Sequence, residues 1–382
     1  MTAIRYLIVS NSFHPQNTPR SNRTTELAKE LCRQGHRVTV LTPFHPAQTE
    51  LADEYGVKLI DLGYAKWPEI PTTWRGNSRL ALRALRRGLL QALEYPEIEL
   101  AFRIPRALAH VDYHDILISI AAPHPVHWGV ARAARRGRLP ARVWLADCGD
   151  PYMGQENDSF SPLFYFKYAE KAFCRCADAI VVPVDGAIQA YYPEFRDKLH
   201  VIPQGFRFED YAHLKTLEPK NDGVRRFAFA GLFIPGRRDP AAFLEYLNQR
   251  TERFEFHVFT RNPGLVAPFA QRDPRIILHE FMPRAQLLER LARMDFLVNI
   301  ENAGQRQSPS KLIDYWLCGR PILSFGSEWL PTEAIDQFLR GDYRQELVID
   351  RPEQYDIGNV ARRFDDLART ILHETIKPEE QE

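Results

Sequence analysis

The chain has 382 residues, more than one hydrophobic core usually holds, so two domains are expected. With 45% hydrophobic and 26% charged residues it has the composition of an ordinary soluble globular protein, not of a disordered or fibrous one. A formal net charge of +1 argues against a general nucleic-acid binder, and five scattered cysteines read as a reduced, cytosolic protein with neither a disulfide framework nor a zinc site.

No stretch approaches the ~20 apolar residues needed to span a bilayer, and the N-terminal apolar run is only strand length, so no leader peptide is expected. Ile4 to Val9 reads as a buried parallel strand and Asn11 to Arg23 as a polar loop. Thr24 to Gln34 has helical periodicity through Leu27, Ala28 and Leu31, closed by Gly35, and Arg37 to Leu41 gives the second strand. This is a Rossmann-type opening without the G-x-G-x-x-G fingerprint, which argues against a dinucleotide dehydrogenase. The loop holds His14, Asn17, Arg20, Ser21 and Arg23; a solvated surface loop is the plain alternative to a binding one.

From Trp67 to His110 the pattern changes. Arg79, Arg83, Arg86 and Arg87 share one face of a helix by their spacing, with Leu80, Leu82, Leu85, Leu89, Leu90 and Leu93 between them and Trp67, Trp74 and Arg75 ahead. A basic amphipathic helix over Arg75 to Arg87 with nearby tryptophans suits an anionic membrane surface; the plain alternative packs it on the sheet with its arginines in water. Ile116 to Ile120 is a strand, followed by a loop with His124 and His127 and a helix from Trp128 through Arg136. Arg142 to Ala146 is a strand ending in Asp147-Cys148-Gly149-Asp150. Carboxylates at a strand's carboxyl end stand where open α/β sheets place their ligands, which puts Asp147 and Asp150 at a ligand position; capping of the next loop is the alternative for Asp147. The two histidines and two aspartates have no spacing that defines a metal site, and none is expected.

Phe164 to Ala177 reads as a helix, Ala179 to Pro183 as a strand, Gly186 to Tyr192 as a helix and Leu199 to Pro203 as the last strand of the first half. The polar, charged connection from Phe206 to Gly223 reads as a linker. Arg226 to Ala230 opens the second half, followed by Gly231 and a loop with Gly236, Arg237 and Arg238, whose guanidinium groups suit phosphate oxygens. Phe254 to Thr260 is the next strand with Arg261 just past its end; Ile276 to His279 is another, and Pro283 to Arg293 is helical. Phe296 to Ile300 and Pro321 to Phe325 are strands around a helix start at Ser308-Pro309-Ser310, with Ser308 as N-cap, Pro309 at the first position and Gly319 past the end. Free N–H groups, the helix dipole, two serine hydroxyls and Lys311 suit a phosphate there, and Asp314 is an acceptor for sugar hydroxyls. A helix near Thr332 to Arg340, a strand at Leu347 to Ile349 and a helix from Val360 to Glu374 complete the chain.

The run SPSKLIDYWLCGRPIL resembles the nucleotide-sugar motif of the family 4 glycosyltransferases, and LAKELCRQGHRVTVLTP resembles the N-terminal helix and strand of the same family. The family pattern usually has Glu where Asp314 stands, and a second Glu seven residues earlier in a Glu-Gly-Phe-Gly context, where this chain has Asn302-Ala303-Gly304-Gln305-Arg306-Gln307. The resemblance implies an α/β chain of GT-B architecture: two Rossmann-like domains with parallel sheets facing across a cleft. The acceptor domain is expected at residues 1–205, the nucleotide-sugar domain at 206–354, and a terminal helix at about 355–376 packing back on the first. It implies transfer of a sugar, with retention of configuration, from a nucleoside diphosphate sugar to a saccharide or lipid-linked acceptor, in a polysaccharide or glycolipid pathway. No cofactor or metal is implied beyond the donor substrate, and the place is the cytoplasm or the inner face of the cytoplasmic membrane.

By the same resemblance Gly231, Arg237, Arg238, Arg261, Ser308, Ser310, Lys311 and Leu312 contact the donor, Asp314 holds its ribose, and His14, Asn17, Arg20 and His124 face the acceptor. Asp147 stands near the reacting carbon, with Asp150 second. A nucleotide-sugar 2-epimerase of the same fold and a catalytically inactive scaffold or partner subunit remain open alternatives.

Overall fold

The apolar runs form parallel strands because both faces of each are covered by helices. The computed structural model describes residues 2–70, 78–155, 162–236, 238–280, 282–301, 310–326 and 329–376. The chain divides into two compact units, Met1–Phe206 with Gln354–Glu382, and Arg207–Gln305 with Pro309–Glu353. The α/β class and the pair of Rossmann-like sheets are as the sequence indicates.

Unit 1 is a seven-stranded parallel sheet of β1 (Arg5–Ser10), β2 (Arg37–Thr42), β3 (Lys58–Asp61), β4 (His114–Ala121), β5 (Ala141–Cys148), β6 (Ala179–Val182) and β7 (Leu199–Val201), in the order β3-β2-β1-β4-β5-β6-β7. Its helices are α1 (Pro19–Arg33), α2 (Gln48–Tyr55), α3 (Ser78–Leu93), α4 (Leu100–Leu108), α5 (Pro125–Ala134) and α6 (Phe166–Cys176). One face packs Leu7, Val9 and Trp144 against α4, α5 and α6. The other packs Tyr6, Ile8 and Val143 against α1 and the chain's last helix.

Unit 2 is a five-stranded parallel sheet of β8 (Arg225–Ala230), β9 (Phe254–Phe259), β10 (Ile276–His279), β11 (Phe296–Ile300) and β12 (Ile322–Phe325), in the order β10-β9-β8-β11-β12. Its helices are α7 (Ala241–Asn248), α8 (Ala267–Arg272), α9 (Arg284–Leu291), α10 (Ser310–Leu317) and α11 (Thr332–Arg340). The last helix, α12 (Ile357–Ile376), belongs to unit 1, where Val360, Ala361 and Phe364 are buried and Asp365 accepts a 2.6 Å hydrogen bond from the Tyr6 hydroxyl.

Four expectations need correcting. The first helix starts five residues before Thr24, because Thr18 caps it by accepting the Ser21 N–H at 3.1 Å and Pro19 occupies the first position; Arg20 and Arg23 are therefore helical. In the same way α5 begins at Pro125, so His127 is a helix residue and not a loop one. The connection after Phe206 is not a loose linker: Phe208–Thr216 coils into 3-10 turns, Leu214 is buried, and the Phe208 ring lies 4.8 Å from that of Trp316. Leu347 to Ile349 makes no strand; the Leu347 N–H donates to Ile322 O at 2.8 Å, and Val348 faces solvent.

Candidate functional site

Each sheet has one point where strand order reverses, between β1 and β4 in unit 1 and between β8 and β11 in unit 2. Open α/β sheets leave a crevice outside the carboxyl ends of the strands there, and ligands occupy it.

In unit 2, β8 runs into Gly231, whose φ of +144° is tolerated by glycine and little else. Tyr315, fully buried on α10, ties the neighbouring elements together: its hydroxyl accepts the Ala230 N–H at 2.8 Å and donates to Val298 O at 3.2 Å. Lys311 lies one turn earlier on the same helix face. Its ammonium sits 4.0 Å from the centre of the Phe229 ring, buried and with no hydrogen-bond partner among the described residues. Burial, and then the charge of Arg238, push the Lys311 ammonium well below its ordinary pKa. Arg238 donates from Nη1 to Leu232 O at 3.3 Å, but its Nε is buried and unpaired, and burial lowers its pKa too. Two neighbouring cations with unsatisfied donors are costly without an anion, so the arrangement fits one.

Asp314, the next acidic residue on α10, takes an ion pair from Arg284 at the start of α9, and Arg284 also donates to the Tyr211 hydroxyl. Burial raises the Asp314 pKa, opposed by that guanidinium. Arg284 was not among the sequence candidates; it stands 30 residues from Asp314, and no spacing signals their meeting. Beside Gly231 a cavity of about 260 Å³ is lined by Leu232, Phe259, Thr260, Arg261, Glu280, Met282 and Leu287. Leu312 packs in the core beneath α10. Arg237 and residues 302–309, Ser308 among them, lie outside the described residues, as does the side chain of Ser310.

In unit 1, Arg20 and Arg23 leave the first turn of α1 toward the end of β5. Arg23 grips Asp147 through Nε at 2.8 Å and Nη2 at 3.0 Å, and also donates to Ile202 O at 3.1 Å and to Pro203 O. Both side chains of the pair are 2–3% exposed. Arg20 lies across Gly149, where a Cβ would fall 2.1 Å from its Cζ. Burial lowers the pKa of Arg20, opposed by Asp147. Asp150, on the loop past β5, is exposed and its side chain makes no hydrogen bond among the described residues.

His124 precedes α5 with its ring 4.9 Å from that of Tyr152 and its Nδ1 buried and unpartnered. Burial, with Arg20 adding to it, lowers its pKa to about 4, so it is neutral at ordinary pH. His127, by contrast, belongs to the core: Trp144 Nε1 donates to Ser119 Oγ at 2.7 Å, Ser119 meets His127 Nδ1 at 2.8 Å, and His127 Nε2 meets Cys148 Sγ at 3.3 Å. Among the described residues no three His, Cys, Asp or Glu side chains are placed to hold a metal. His14 lines a separate polar pocket of about 330 Å³ with Gln16, Glu26, Glu50 and Tyr55, and Asn17 is exposed on the loop before α1.

The glycosyl transferase 4-like domain family matches residues 21–205. No curated protein sequence matches the chain. Among solved structures, a glycosyltransferase from Rickettsia africae ESF-5 is similar with a TM-score of 0.62 at 13% identity, covering 97% of this chain and 99% of the other. The catalytic domain of starch synthase IV from Arabidopsis thaliana, bound to ADP and acarbose, gives 0.57 at 10% identity, covering 97% and 100%. Anabaena HepE, in complex with UDP and glucose, gives 0.51 at 11% identity, covering 99% and 100%. The chain has the two-domain GT-B fold of these solved glycosyltransferases, and its residues 21–205 match the glycosyl transferase 4-like domain family.

Proposed function

We propose that the protein transfers a sugar from a nucleoside diphosphate sugar, bound by unit 2, to a saccharide or lipid-linked acceptor bound by unit 1. The observation that carries this is the buried, unpartnered ammonium of Lys311 beside Arg238 at the reversal point of the unit 2 sheet. A diphosphate placed there satisfies both cations and restores the charge that burial suppresses on Lys311. Asp314, steadied by Arg284, holds the ribose, and the cavity beside Gly231 takes the base. As the glycosidic bond breaks, Lys311 and Arg238 stabilise the charge developing on the leaving diphosphate, which needs no protein-bound metal. Arg237, Ser308 and Ser310 complete this grip in the proposal.

On the acceptor side, Asp147 has both oxygens committed to Arg23, so it acts by positioning Arg23 and the end of β5. Asp150, Arg20 and neutral His124 are the groups left to face sugar hydroxyls at the reacting centre, with His14 and Asn17 further along the acceptor path. Retention follows if the acceptor attacks from the face the diphosphate leaves and the leaving phosphate itself takes the acceptor proton. Neighbours crystallised with UDP and glucose, or with ADP, support a nucleotide in the donor half.

The proposal includes a membrane surface as the working place. On α3 the side chains of Leu80, Leu85 and Leu93 are more than half exposed, with Arg83 and Arg86 beside them; Arg75 lies outside the described residues. Among those residues no helix is long and apolar enough to cross a membrane.

The test is thermal melting without added metal against nucleoside diphosphates and their sugars, with Lys311→Met and Asp314→Ala alongside. A ligand at about 100 times its dissociation constant adds about 2.7 kcal/mol. One nucleotide should raise the melting point of the parent and of neither variant; equal rises in all three discard the donor assignment.

A further inference from the structure

Away from both reversal points, unit 1 carries a groove of about 530 Å³ between α4, α5 and α6. Its floor is apolar: Ile98, Ala101, Phe102, Trp128, Ala131 and Ala169 line it. Its rim is basic. Arg132, Arg135 and Arg136 stand at the end of α5, and an adjoining pocket of about 320 Å³ adds Arg106, Arg138 and His110. None of these five arginines has a carboxylate partner among the described residues, although the whole chain is charged only +1. The side-chain contact recorded for the five is Arg132 over the Phe102 ring at 4.6 Å. Arg106, Arg135, Arg136 and Arg138 are exposed and Arg132 is half-buried, so the rim presents five cations to solvent beside an apolar channel.

The surroundings continue the same character. Phe102 is 41% exposed and its ring lies 6.4 Å from that of Trp67, itself exposed. Phe164 and Tyr168, where α6 begins, are 70% and 63% exposed. The Tyr165 hydroxyl donates to Ala92 O, which fastens the C-terminal end of α3 next to this face. Large exposed apolar side chains set among arginines mark an interaction surface, and aromatic rings with arginine are the composition of a bilayer interface.

We infer that the groove is an anionic-phospholipid site: the apolar channel between α4, α5 and α6 takes part of an acyl chain, and Arg132, Arg135 and Arg136 take the phosphate of its headgroup. This rests on the reading that the protein works at a membrane, and places a second contact there besides α3. Arginine suits the role because its planar fork binds phosphate oxygens while its stem covers apolar surface.

Co-sedimentation of the full chain with vesicles of phosphatidylcholine alone, and of phosphatidylcholine with phosphatidylglycerol, tests it. The parent should partition onto the anionic vesicles and not onto the neutral ones. The triple variant Arg132→Ala, Arg135→Ala, Arg136→Ala should partition roughly a hundredfold less, since each basic side chain at an anionic surface contributes severalfold. Ala131→Asp, which puts a carboxylate on the groove floor, should weaken binding with the rim intact. Both variants should keep the parent's nucleotide-induced rise in melting point, which shows that they fold and separates this result from the donor reading. If Leu80→Ser, Leu85→Ser abolishes vesicle binding while the triple variant binds like the parent, the contact belongs to α3 alone and the groove assignment is wrong. If no chain binds vesicles but the parent retains RNA through the same arginines, the surface is a polyanion site and the lipid assignment fails.

Discussion

Arg23 and Asp147 form a two-pronged ion pair in the interior of unit 1, at 2.8 Å and 3.0 Å, and the same guanidinium reaches the carbonyls of Ile202 and Pro203. One side chain of α1 thus locks the end of β5 to the segment after β7. Removing either partner strands a charge in a dry interior, which costs about 3–5 kcal/mol. Urea unfolding of Asp147→Ala and of Arg23→Ala should each show that loss. A large fall in turnover with unchanged stability would mean instead that Asp147 acts on the substrate directly.

Lys311 gives a pH dependence to the unliganded protein. Its folded pKa lies well below the unfolded value of 10.5, so between the two the unfolded chain binds more protons, and stability rises with pH through that window. Denaturant unfolding from neutral to alkaline pH should show the rise, and Lys311→Met should flatten it. Saturating nucleoside diphosphate should flatten it as well, because the bound anion restores the charged form; binding should then take up a proton, measurable by calorimetry in buffers of different ionisation heat.

His124 and His279 carry a dependence of the same sign into the acid range. Burial lowers each from 6.5 to about 4, so both are neutral in the folded protein while the unfolded chain protonates them. The stability they contribute is present above 6.5 and is lost as pH falls toward 4. Melting curves across this range should steepen downward, less so in His124→Gln, His279→Gln.

Gly149→Ala probes the acceptor side with little damage to the core. The added Cβ meets the guanidinium end of Arg20 at 2.1 Å, and a flexible end moves at small cost. Stability should change by about 1 kcal/mol or less. Acceptor KM should rise while donor-induced melting shifts stay as in the parent, and Arg20→Ala should reproduce the kinetic effect.

Arg284→Ala leaves the Asp314 carboxylate buried without its partner, and burial then raises its pKa further. Nucleotide affinity should drop about tenfold or more, the usual scale for losing a charged hydrogen-bond partner. Isothermal titration with the nucleoside diphosphate measures it; unchanged affinity would remove Asp314 from the ribose.

Local chemistry was legible in the sequence by itself. Short apolar runs such as Phe296 to Ile300 read as buried strands, Gly319 could be assigned past the end of α10 because glycine favours the left-handed backbone that ends helices, as its φ of +65° bears out, and Lys311 and Asp314 share a helix by their spacing. The start of α1 is not legible from apolar periodicity, because Thr18 and Pro19, its cap and first-turn proline, stand in polar sequence. The α/β class followed from the alternation of strands and helices, and the two-domain plan from the chain length and the family resemblance. What only the tertiary structure decided is which polar groups are paired. Arg23 meets Asp147 across 124 residues, Arg284 meets Asp314 across 30, and the Lys311 ammonium is left with no hydrogen-bond partner among the described residues. Spacing along a chain fixes which residues share an element, whereas pairing and burial depend on how elements far apart in sequence are packed, and these determine which charges are free to meet a substrate.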